Sequence, residues 1–470
     1  PAIDWLGGAP TSAAQMRAMI HGLAAHLHDR GVKPGDRVLI EVPPGELFVA
    51  AVMGSQWLGA VPVLIEPSLG PALSQTCIEM VEPRWNIVHP LIMALDRVPG
   101  MPRFLRRLEI DLPVVPSSSV KRVVLTMSRL KSLSISSPEG DVYPVDPDAD
   151  NLIVFTGGTT EIPKGVRVSN TGAAALMGNI GALIDDLPSF KKFLADTPQQ
   201  VLFALCLGRE VMTTKGRKAK RARYVFDAIM SGKIEAYFSS PFVWQWMMEA
   251  KRDEVERLPS TLKTVLLGGA TVSRPFLEKL AAWLHPSTEV VCIYGLTEAG
   301  PVCTSSLSEK LSWEGGGDLV GAPLPGMDIR IESPDEGGRG AVVVHGPSLY
   351  SGYLGQPDRA PDEGLVTGDI GRLEESADGQ RRLVLLGRAK DMVIRQGLNI
   401  YPQTMEPFLL GLRDKKGEPL FAECALVGMW DKSRNDGYVV LATRRNEDAE
   451  RWSDAAIRSK LREVLGSSAE

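Results

Sequence analysis

A strand–helix–strand pattern constrains the fold of this chain more than any other feature of its sequence. The turn Pro34-Gly35-Asp36 leads into the apolar run VLIEV, a helix-like segment covers residues 46–58, and a second apolar run, AVPVLIEP, follows Gly59. Two parallel strands joined by a helix need this order and spacing. The runs DNLIVF, AYFSSP, KTVLLGG and EVVCIYG repeat the pattern. We therefore expect an α/β protein in which helices cover both faces of largely parallel, doubly wound sheets.

A change in composition divides the 470-residue chain into regions. Beyond about residue 315, Gly and Pro become frequent and the apolar runs are short, as in GAVVVHG and RRLVLLG, which is typical of a small β-rich lobe. After residue 388 the pattern mixes strands and helices again, with strands at ALVGMW and YVVLAT and helices near residues 403–412 and 454–465. We expect a large N-terminal domain over residues 1–388, with the lobe at about 315–388, followed by a small mobile α+β domain over 389–470 that is incomplete.

The charge and the cysteines limit the classes of function. A net charge of -5 gives no electrostatic reason to expect nucleic acid or an anionic membrane as the main partner. The most apolar run, residues 47–65, is interrupted by polar residues, glycines and Pro62, so we expect no transmembrane segment. Five cysteines without CxxC spacing indicate reduced thiols in a cytoplasmic protein.

The stretch FTGGTTEIPKGV, residues 155–166, has the composition of an anion-binding loop. It leaves the end of an apolar strand, which is where α/β folds bind ligands. Its glycines allow consecutive backbone N–H groups to form a nest for phosphate oxygens, and Lys164 adds a positive charge. It is not a P-loop, because Gly165 follows the lysine in place of Ser or Thr. A flexible surface loop remains the alternative for this stretch taken alone.

A second cluster, IYGLTEAGP, presents an aromatic ring, a hydroxyl and a carboxylate within five residues at a strand end. Tyr294 is suited to stack on a purine, and Thr297 is suited to contact a phosphate oxygen. Glu298 is suited to hold Mg²⁺, a cation that prefers oxygen ligands. The alternative for Tyr294 alone is a half-buried core aromatic.

Two further motifs lie before and at the boundary near residue 388. Asp369 in VTGDIGRL is placed to accept hydrogen bonds from ribose hydroxyls, although an Asp in such a turn is also a common turn former. The segment GRAKDM places Arg388 and Lys390 where the composition changes, and a charged boundary of this kind suits a hinge.

In their order and spacing these segments resemble the adenylate-forming superfamily, which includes acyl-CoA synthetases, peptide-synthetase adenylation domains and luciferases. The resemblance extends over essentially the whole chain and includes GGATVSRPFLEKL, LVGAPLPGMDIRI and GYLGQP. It implies that the protein activates a carboxylic acid with ATP and Mg²⁺ to an acyl-adenylate and pyrophosphate. The C-terminal domain then rotates, and the acyl group passes to an acceptor, most often CoA.

The resemblance also implies roles for individual residues. The outer phosphates of ATP would be held by the loop that ends at Lys164, adenine by the segment after KTVLL and by Tyr294, and ribose by Asp369 and Arg388. Gly295, together with Leu296, would also border the acyl pocket. The implied catalytic residues are Lys164, Thr297 and Glu298, with Glu298 as the metal ligand. The implied ATP-binding residues are Thr156, Gly157, Gly158, Thr159, Thr160, Gly268, Gly269, Ala270, Tyr294, Gly295, Asp369, Arg388 and Lys390.

The sequence departs from the superfamily pattern at two places that bear on ATP. Relatives usually carry glycine where this chain has Glu161, and a carboxylate facing a triphosphate would be repelled. We expect this side chain to point to solvent. Relatives also end with a Gly-Lys motif whose lysine contacts the adenylate, and the sequence shows no such motif before Glu470. We expect a tail carrying it to be omitted from the sequence, and the alternative is that the first step is impaired.

The substrate class is left with alternatives. The segments LFALCLG and LSEKLSWEGGGDLVGAPLPG resemble enzymes acting on long-chain β-hydroxy acids, including olefin β-lactone synthetases, whereas GLNIYPQTMEP resembles acyl-CoA ligases. The leading hypothesis is activation of a fatty or β-hydroxy fatty acid and its transfer to CoA. The alternatives are cyclisation of a β-hydroxy acid to a β-lactone, or a non-catalytic nucleotide-binding homologue.

Overall fold

The protein is a mixed α/β structure built around two large sheets, which confirms the predicted fold class. Its helices and strands alternate along the chain as the apolar pattern predicts. The computed structural model describes residues 2–5, 10–66, 69–97, 120–136, 145–155, 163–195, 197–213, 221–251, 254–360, 362–376, 379–391, 393–395, 398–400, 406, 409–414, 416–431 and 436–445.

The elements of the described residues are numbered here in chain order. The strands are β1 (Ala2–Trp5), β2 (Thr11–Ser12), β3 (Arg37–Glu41), β4 (Val61–Leu64), β5 (Trp85–Val88), β6 (Lys121–Val124), β7 (Asp150–Phe155), β8 (Gly165–Ser169), β9 (Lys192–Ala195), β10 (Glu210–Thr213), β11 (Ala236–Ser239), β12 (Thr264–Gly268), β13 (Glu289–Leu296), β14 (Gly300–Ser306), β15 (Asp318–Pro323), β16 (Asp328–Glu332), β17 (Gly340–His345), β18 (Gly352–Tyr353), β19 (Leu365–Glu375), β20 (Arg381–Arg388), β21 (Val393–Arg395), β22 (Leu398–Ile400), β23 (Phe421–Asp431) and β24 (Asp436–Arg445). The helices are α1 (Ala13–Asp29), α2 (Glu46–Trp57), α3 (Pro71–Val81), α4 (Pro90–Arg97), α5 (Met127–Ser136), α6 (Asn170–Asp185), α7 (Pro198–Cys206), α8 (Arg221–Met230), α9 (Pro241–Lys251), α10 (Arg274–Trp283) and α11 (Leu307–Ser312), with a 3-10 turn at Ala389–Asp391.

The smaller of the two sheets has seven strands in the order β18-β8-β7-β4-β3-β5-β6. The strands from β7 to β6 in this order pair in parallel, as the predicted strand–helix–strand units require, whereas β8 pairs antiparallel with both β7 and β18. The helix α1, which precedes β3, begins and ends where the sequence signals do: Ser12 and Gln15 form a capping box before it, and Gly31 adopts a left-handed conformation after it. Strand β8 of this sheet begins at Gly165, immediately after Lys164, so the start of the strand fixes the position of the lysine backbone.

The larger sheet has thirteen strands in the order β16-β17-β19-β20-β15-β14-β13-β12-β11-β9-β10-β1-β2. Strands β9 to β13 pair in parallel, and the pairing becomes antiparallel from β14 onward. The β-rich segment predicted at about 315–388 continues this sheet, because β14 pairs with β15 and β15 with β20. The strands that carry the predicted nucleotide-binding motifs are therefore neighbours within one sheet.

A hydrophobic core lies between the two sheets. It is filled by helices such as α1, α2 and α7, with Leu23 and Val49 completely buried, and it receives Ile87 from the smaller sheet and Ala236 from the larger one. Burying one side chain of this size stabilises a fold by about 1.5–3 kcal/mol relative to leaving it exposed. The sheets are thus held face to face across a shared helical layer, which fixes the relative positions of their strand ends.

A second core covers the other face of the larger sheet. Helices α8, α9 and α10 pack there, and Trp244 and Met247 of α9 are completely buried. One side of the aromatic and methionine-rich segment of residues 242–248 therefore packs in ordinary core. Two aromatics of the same helix, Phe242 and Trp246, are instead exposed, and their rings contact each other in a tilted arrangement with centroids 4.9 Å apart.

Beyond residue 391 the structure describes several short stretches of the chain. Strands β23 and β24 form an antiparallel hairpin, as expected from ALVGMW and YVVLAT. The helices expected near residues 403–412 and 454–465 fall mostly or wholly outside the described residues. In the described part of the chain, no helix is long and apolar enough to cross a membrane. All five cysteines are free thiols, and Cys206 is exposed rather than buried.

Candidate active site

The IYGLTEAGP motif covers the end of β13, the turn that follows it and the start of β14 in the larger sheet. The pairing of the two strands shifts register between Tyr294 and Gly295, and the chain reverses at residues 297–299. A Cβ on Gly295 would lie only 2.3 Å from the carbonyl oxygen of Gly300, so glycine is required at this close approach. The tight reversal leaves Thr297 exposed and Glu298 half-buried at the edge of the sheet.

Asp369 and Arg388 meet because their strands pair in register. They are direct partners across β19 and β20, and Arg388 Nε lies 2.9 Å from Asp369 Oδ1. The hydroxyl of Tyr294 donates a hydrogen bond of 2.6 Å to the other carboxylate oxygen. The backbone N–H of Asp369 donates to Thr367 Oγ1 at 3.1 Å. Two motifs that lie 75 residues apart in the sequence thus form one hydrogen-bonded cluster.

Burial shapes the acid–base properties of this cluster. Asp369 is only 5% exposed, and this burial raises the pKa of its carboxyl group, although Tyr294 and Arg388 both oppose the rise. Burial and the adjacent carboxylate also raise the pKa of Tyr294 well above its usual range, so the phenol remains a hydrogen-bond donor. The cluster therefore holds a partly shielded carboxylate that has two donors already in place.

Glu298 and Lys164 meet through a tyrosine of the GYLGQP motif. The hydroxyl of Tyr353 donates to Glu298 Oε1 at 2.9 Å, and the Nζ atom of Lys164 lies 5.0 Å from the centre of the Tyr353 ring. Burial and the Glu298 carboxylate raise the pKa of Tyr353, which keeps its proton on the hydroxyl. The cation and the carboxylate come from different sheets and face the same cavity.

A small cavity of about 260 Å³ lies beside Tyr294 and Asp369. Its rim includes Gly269 and Ala270, which follow β12, and Arg388. Its polar residues supply hydrogen-bonding groups, and its apolar walls come from β13, β15 and β20. This combination suits a flat heterocycle joined to a sugar.

The inner end of the small cavity is polar. Lys310, from α11, forms an ion pair with Asp318, at the start of β15, and both line the cavity. The hydroxyl of Ser305 also lines it, is buried, and has no hydrogen-bond partner among the described residues. Burial raises the pKa of the neighbouring Cys292 thiol to about 11, so that thiol remains protonated at neutral pH.

A larger cavity of about 870 Å³ adjoins the small one. Gly269, Ile293, Gly295 and Arg388 line both, so the two spaces meet at the end of β13. One end of the larger cavity contains the charged groups Lys164, Glu298 and Arg388. The other end is walled by apolar side chains of α6, α7 and the adjoining strands and loops: Ile180, Leu183, Ile184, Phe190, Phe193, Phe203, Ala204, Leu207, Phe238 and Leu266. Ile293 and Leu296 of β13 line the cavity between the two ends.

Within this apolar wall, Gln200 of α7 is the polar exception, and its amide group is engaged. Its Nε2 atom donates to the backbone carbonyl of Phe238 at 3.1 Å. The charged residues that line the cavity are Lys164, Glu298 and Arg388, so the described wall of α6 and α7 offers no charge to a ligand. A ligand segment that enters this end is stabilised by apolar contact and by exclusion of water.

The structure brings most of the predicted site residues together. The two cavities are lined by Lys164, Gly268, Gly269, Ala270, Tyr294, Gly295, Thr297, Glu298, Asp369 and Arg388. Lys390 lies in the 3-10 turn that follows β20 and lines neither cavity in the described structure. The loop predictions Thr156, Gly157, Gly158, Thr159, Thr160 and Glu161 lie outside the described residues.

Sequence reasoning missed several groups that the structure places at the site. Tyr353 lies in a motif used only to establish resemblance, and its contact with Glu298 spans 55 residues of sequence. Lys310 and Asp318 are ordinary surface-type residues by sequence, and no local signal indicates that they are buried together. The LFALCLG segment was the available signal for the apolar wall, because Phe203, Ala204 and Leu207 belong to it.

The carboxylates of the described residues do not by themselves form a complete metal site. Among the described residues, no group of three or more His, Cys, Asp or Glu side chains is placed to hold a metal ion. Mg²⁺ typically binds through one or two carboxylates together with the phosphates of a substrate. A single half-buried carboxylate such as Glu298 fits that second arrangement.

Comparisons with known proteins agree with this geometry. Residues 1–354 match the family described as AMP-binding enzyme. The 4-coumarate–CoA ligase 2 of Nicotiana tabacum is 23% identical over 461 residues, which cover 90% of this chain and 78% of that protein. The ATP-bound structure of MatB from Rhodopseudomonas palustris has a TM-score of 0.78 at 20% identity and covers 100% of this chain and 90% of its own. The amide bond synthetase McbA from Marinactinospora thermotolerans has a TM-score of 0.76 at 22% identity, with coverage of 100% and 91%.

Proposed function

The chain belongs to the AMP-binding enzyme family and is an ATP-dependent acyl-adenylate-forming ligase, and from this we propose that it activates a fatty or β-hydroxy fatty acid in the presence of Mg²⁺ and transfers it to CoA. The proposal concerns the acid, the metal, the acceptor and the residues that act. The family membership itself supplies the reaction class, which joins a carboxylic acid to AMP with release of pyrophosphate.

The observation that carries the proposal is the division of the larger cavity into a charged end and an uncharged end. Lys164, Glu298 and Arg388 occupy one end, and the wall formed by α6 and α7 is apolar. A dicarboxylic acid would place its second charge against that wall without a partner, which is strongly unfavourable. A long alkyl chain gains about 0.8 kcal/mol for each methylene group buried there. The volume of about 870 Å³ lies in the range of small-molecule sites and accommodates a long acyl chain.

The polar residues suit the adenylation step. The substrate carboxylate attacks the α-phosphorus of ATP, and the bond from that phosphorus to pyrophosphate breaks. We assign Thr297 to the α-phosphate oxygens and Lys164 to the outer phosphates, where negative charge must be balanced as the anion approaches. We assign Asp369 and Arg388 to the ribose, and Tyr294, Gly269 and Ala270 to adenine in the small cavity. The loop residues 156–160 complete this proposed phosphate site.

The residues of the candidate site fit a magnesium ion that also binds the phosphates of the substrate. Glu298 offers a carboxylate at the charged end of the cavity, close to Lys164. When bound, Mg²⁺ neutralises charge on the phosphates and polarises them toward attack. The part of the chain described here has no cluster that binds a metal without substrate, which is consistent with an ion that enters with ATP.

The second half-reaction requires a different set of groups around the adenylate. We propose that residues 389–470 form a lid that rotates between adenylation and thioester formation, with Lys390 at its hinge. The 3-10 turn at Ala389–Asp391, directly after the site residue Arg388, supports this placement. Rotation of a lid allows one cavity to serve two steps in sequence.

We also place the reaction in the cytoplasm. All five cysteines are free, including the exposed Cys206. A free exposed thiol is maintained in reducing compartments, where CoA and ATP are both available.

The test is a product assay with the full-length protein. ATP, Mg²⁺ and a panel of acids are supplied with and without CoA. The panel contains fatty acids, β-hydroxy fatty acids, aromatic acids and dicarboxylic acids, and products are identified by mass. We expect pyrophosphate release with long-chain acids and an acyl-CoA product when CoA is present.

Other products would change the conclusion in defined ways. A lactone with AMP, formed without CoA from a β-hydroxy acid, would select cyclisation as the second step. A preference for malonate or another dicarboxylic acid would contradict the assignment of the apolar wall. Nucleotide binding without pyrophosphate release from any acid would point to a non-catalytic homologue and overturn the proposal.

A further inference from the structure

We propose that Tyr353 is a positioning residue that aligns Glu298 with Lys164 so that both converge on the phosphates of ATP. The inference deepens the proposed function and rests on it. Three independent contacts support this role. The hydroxyl of Tyr353 bonds to Glu298, its ring contacts the Lys164 cation, and its backbone pairs with strand β8.

The first contact holds one oxygen of the Glu298 carboxylate. The hydroxyl of Tyr353 donates a hydrogen bond of 2.9 Å to Glu298 Oε1. The backbone of Glu298 is held as well, because its carbonyl accepts a hydrogen bond of 2.7 Å from the N–H of Tyr350. A carboxylate fixed at one oxygen presents the other in a defined direction. Hydrogen-bond partners of metal-ligating carboxylates commonly orient them in this way.

The second contact holds the lysine. The Nζ atom of Lys164 lies 5.0 Å from the centre of the Tyr353 ring, within the range of a cation–π interaction. The lysine is exposed, so its long side chain would otherwise sample many rotamers. The ring thus restricts the cation to the side of the cavity on which Glu298 lies.

The third contact fixes the tyrosine itself. Strand β18 pairs with β8, and Tyr353 is the direct partner of Val166, two residues after Lys164. The N–H of Leu354 also donates to the carbonyl of Gly165 at 2.7 Å. The backbone of Tyr353 therefore moves with the strand that carries the lysine.

These contacts join the two large sheets at the candidate phosphate site. Lys164 precedes a strand of the seven-stranded sheet, whereas Glu298 lies in a turn of the thirteen-stranded sheet. The hydroxyl and ring of Tyr353 touch both groups, so the tyrosine sets the spacing between the cation and the carboxylate. A simple packing role would need the ring but would not need the hydroxyl.

The test separates the hydroxyl from the ring with two variants. Tyr353→Phe removes only the hydroxyl, and Tyr353→Leu removes the ring as well. Tyr224→Phe, on α8 and outside both cavities, controls for loss of a tyrosine hydroxyl elsewhere. Binding of Mn²⁺ as a probe is followed by electron paramagnetic resonance in the presence of α,β-methylene-ATP. Binding of the same analogue is measured in EDTA, and thermal unfolding confirms that each variant folds.

We expect Tyr353→Phe to weaken Mn²⁺ binding by about tenfold or more, which is the usual consequence of losing an outer partner of a metal ligand. Its affinity for the analogue in EDTA stays unchanged, because the ring remains under Lys164. Tyr353→Leu weakens metal-free binding as well, by about two- to fivefold, the contribution of an exposed cation–π contact. Saturating Mg²⁺ restores the turnover of Tyr353→Phe, and Tyr224→Phe resembles the wild type throughout.

Two results would overturn the assignment. In the first, Mn²⁺ binds Tyr353→Phe as it binds the wild type. In the second, Tyr353→Phe loses affinity for the analogue equally with metal and in EDTA, which would mean that the hydroxyl contacts the nucleotide. Either result leaves the proposed function intact if the wild type still releases pyrophosphate with an acid. Absence of that release would count against the function and not against Tyr353 alone.

Discussion

The two ends of the larger cavity are built in different ways. The charged end is formed by short motifs, in which a strand ends and a turn presents one or two polar side chains, as at Thr297 and Glu298. The apolar end is formed by residues from two helices and several strands and loops that are distant in sequence, such as Leu183 and Phe238. Local chain geometry is therefore sufficient to identify the first end, whereas the second exists only after packing.

The two ends also differ in the physics of recognition. At the charged end and in the adjoining small cavity the hydrogen bonds are directional, and one missing atom leaves a partner such as the buried Asp369 without its hydrogen bond. At the apolar end the free energy is roughly proportional to the area buried, so changes are graded. A single substitution at the charged end should therefore cause a large loss of activity with every substrate. A substitution at the apolar end should instead lower activity gradually as the acyl chain of the substrate becomes longer.

The largest effect is expected at Asp369, which lines the small cavity and pairs with Arg388 at the charged end of the larger one. Asp369→Asn removes a buried charge that faces Arg388 and accepts from Tyr294, and losing one member of such a cluster costs about 2–5 kcal/mol. We expect kcat/KM for ATP to fall by about 100-fold or more in a pyrophosphate-release assay. The loss of kcat/KM should be smaller with a deoxyribose analogue of ATP, because that sugar lacks one hydroxyl that can donate a hydrogen bond to Asp369.

Asp358→Asn is the matched control for this prediction. Asp358 also pairs with an arginine, Arg167, but is 72% exposed, and we expect kcat/KM to change by less than about twofold. Burial raises the pKa of Asp369, and ribose binding requires the ionised form. ATP affinity should therefore weaken on acidification at a pH above the usual aspartate value of about 3.9. Equal loss in both variants, or an unchanged pH profile in Asp369→Asn, would contradict the role assigned to Asp369.

An intermediate effect is expected at the apolar end. Leu207→Trp replaces an isobutyl side chain by a bulky indole ring at the end of α7, where the wall meets the cavity. If the ring excludes three methylene groups of the substrate, the loss is about 2.4 kcal/mol, which corresponds to about 50-fold in kcat/KM for a long acid. Short acids should react as before. A series of fatty acids of increasing length measures the point at which activity falls.

Leu91→Trp makes the same change on an exposed face, since Leu91 is 57% exposed on α4. We expect it to leave the chain-length profile unaltered. If Leu207→Trp reduced activity equally for short and long acids, the wall of α7 would not be the binding surface for the acyl chain.

The smallest effect is expected at Glu161, which belongs to the charged end by sequence and lies outside the described residues. We expect Glu161→Gly to leave ATP affinity, measured by calorimetry, within about threefold of the wild type, because a carboxylate that faced a triphosphate would be strongly repelled. A large gain in affinity would show that Glu161 restrains the phosphate loop. The charged end would then contain a repulsive group that its local motif does not reveal.

Much of the fold follows from the sequence pattern. The helix at residues 46–58 appears as α2, and the runs DNLIVF and KTVLLGG appear as β7 and β12. These elements are correct because apolar periodicity and turn residues act over a few positions. The continuity of the β-rich segment with the larger sheet was not apparent, because the pairing of β14 with β15 depends on which edges meet in three dimensions.

The candidate site shows the same limit. The residues Tyr294 and Asp369 were named from separate motifs, but the hydrogen bond between them could not be derived from either motif. The ion pair of Lys310 with Asp318 gave no signal, since burial of a charged pair depends on the surfaces that close over it.

The sequence by itself determined the alternation of strands and helices, the positions of the polar turns and the chemical character of the nucleotide end. Each of these depends on interactions between residues close along the chain, where backbone geometry leaves few choices. Only the tertiary structure decided the apolar cavity, the contact of Tyr353 with Glu298 and Lys164, and the partners of Asp369. Those features depend on how two sheets pack across a shared layer of helices, and side-chain packing of that kind is a property of the whole molecule.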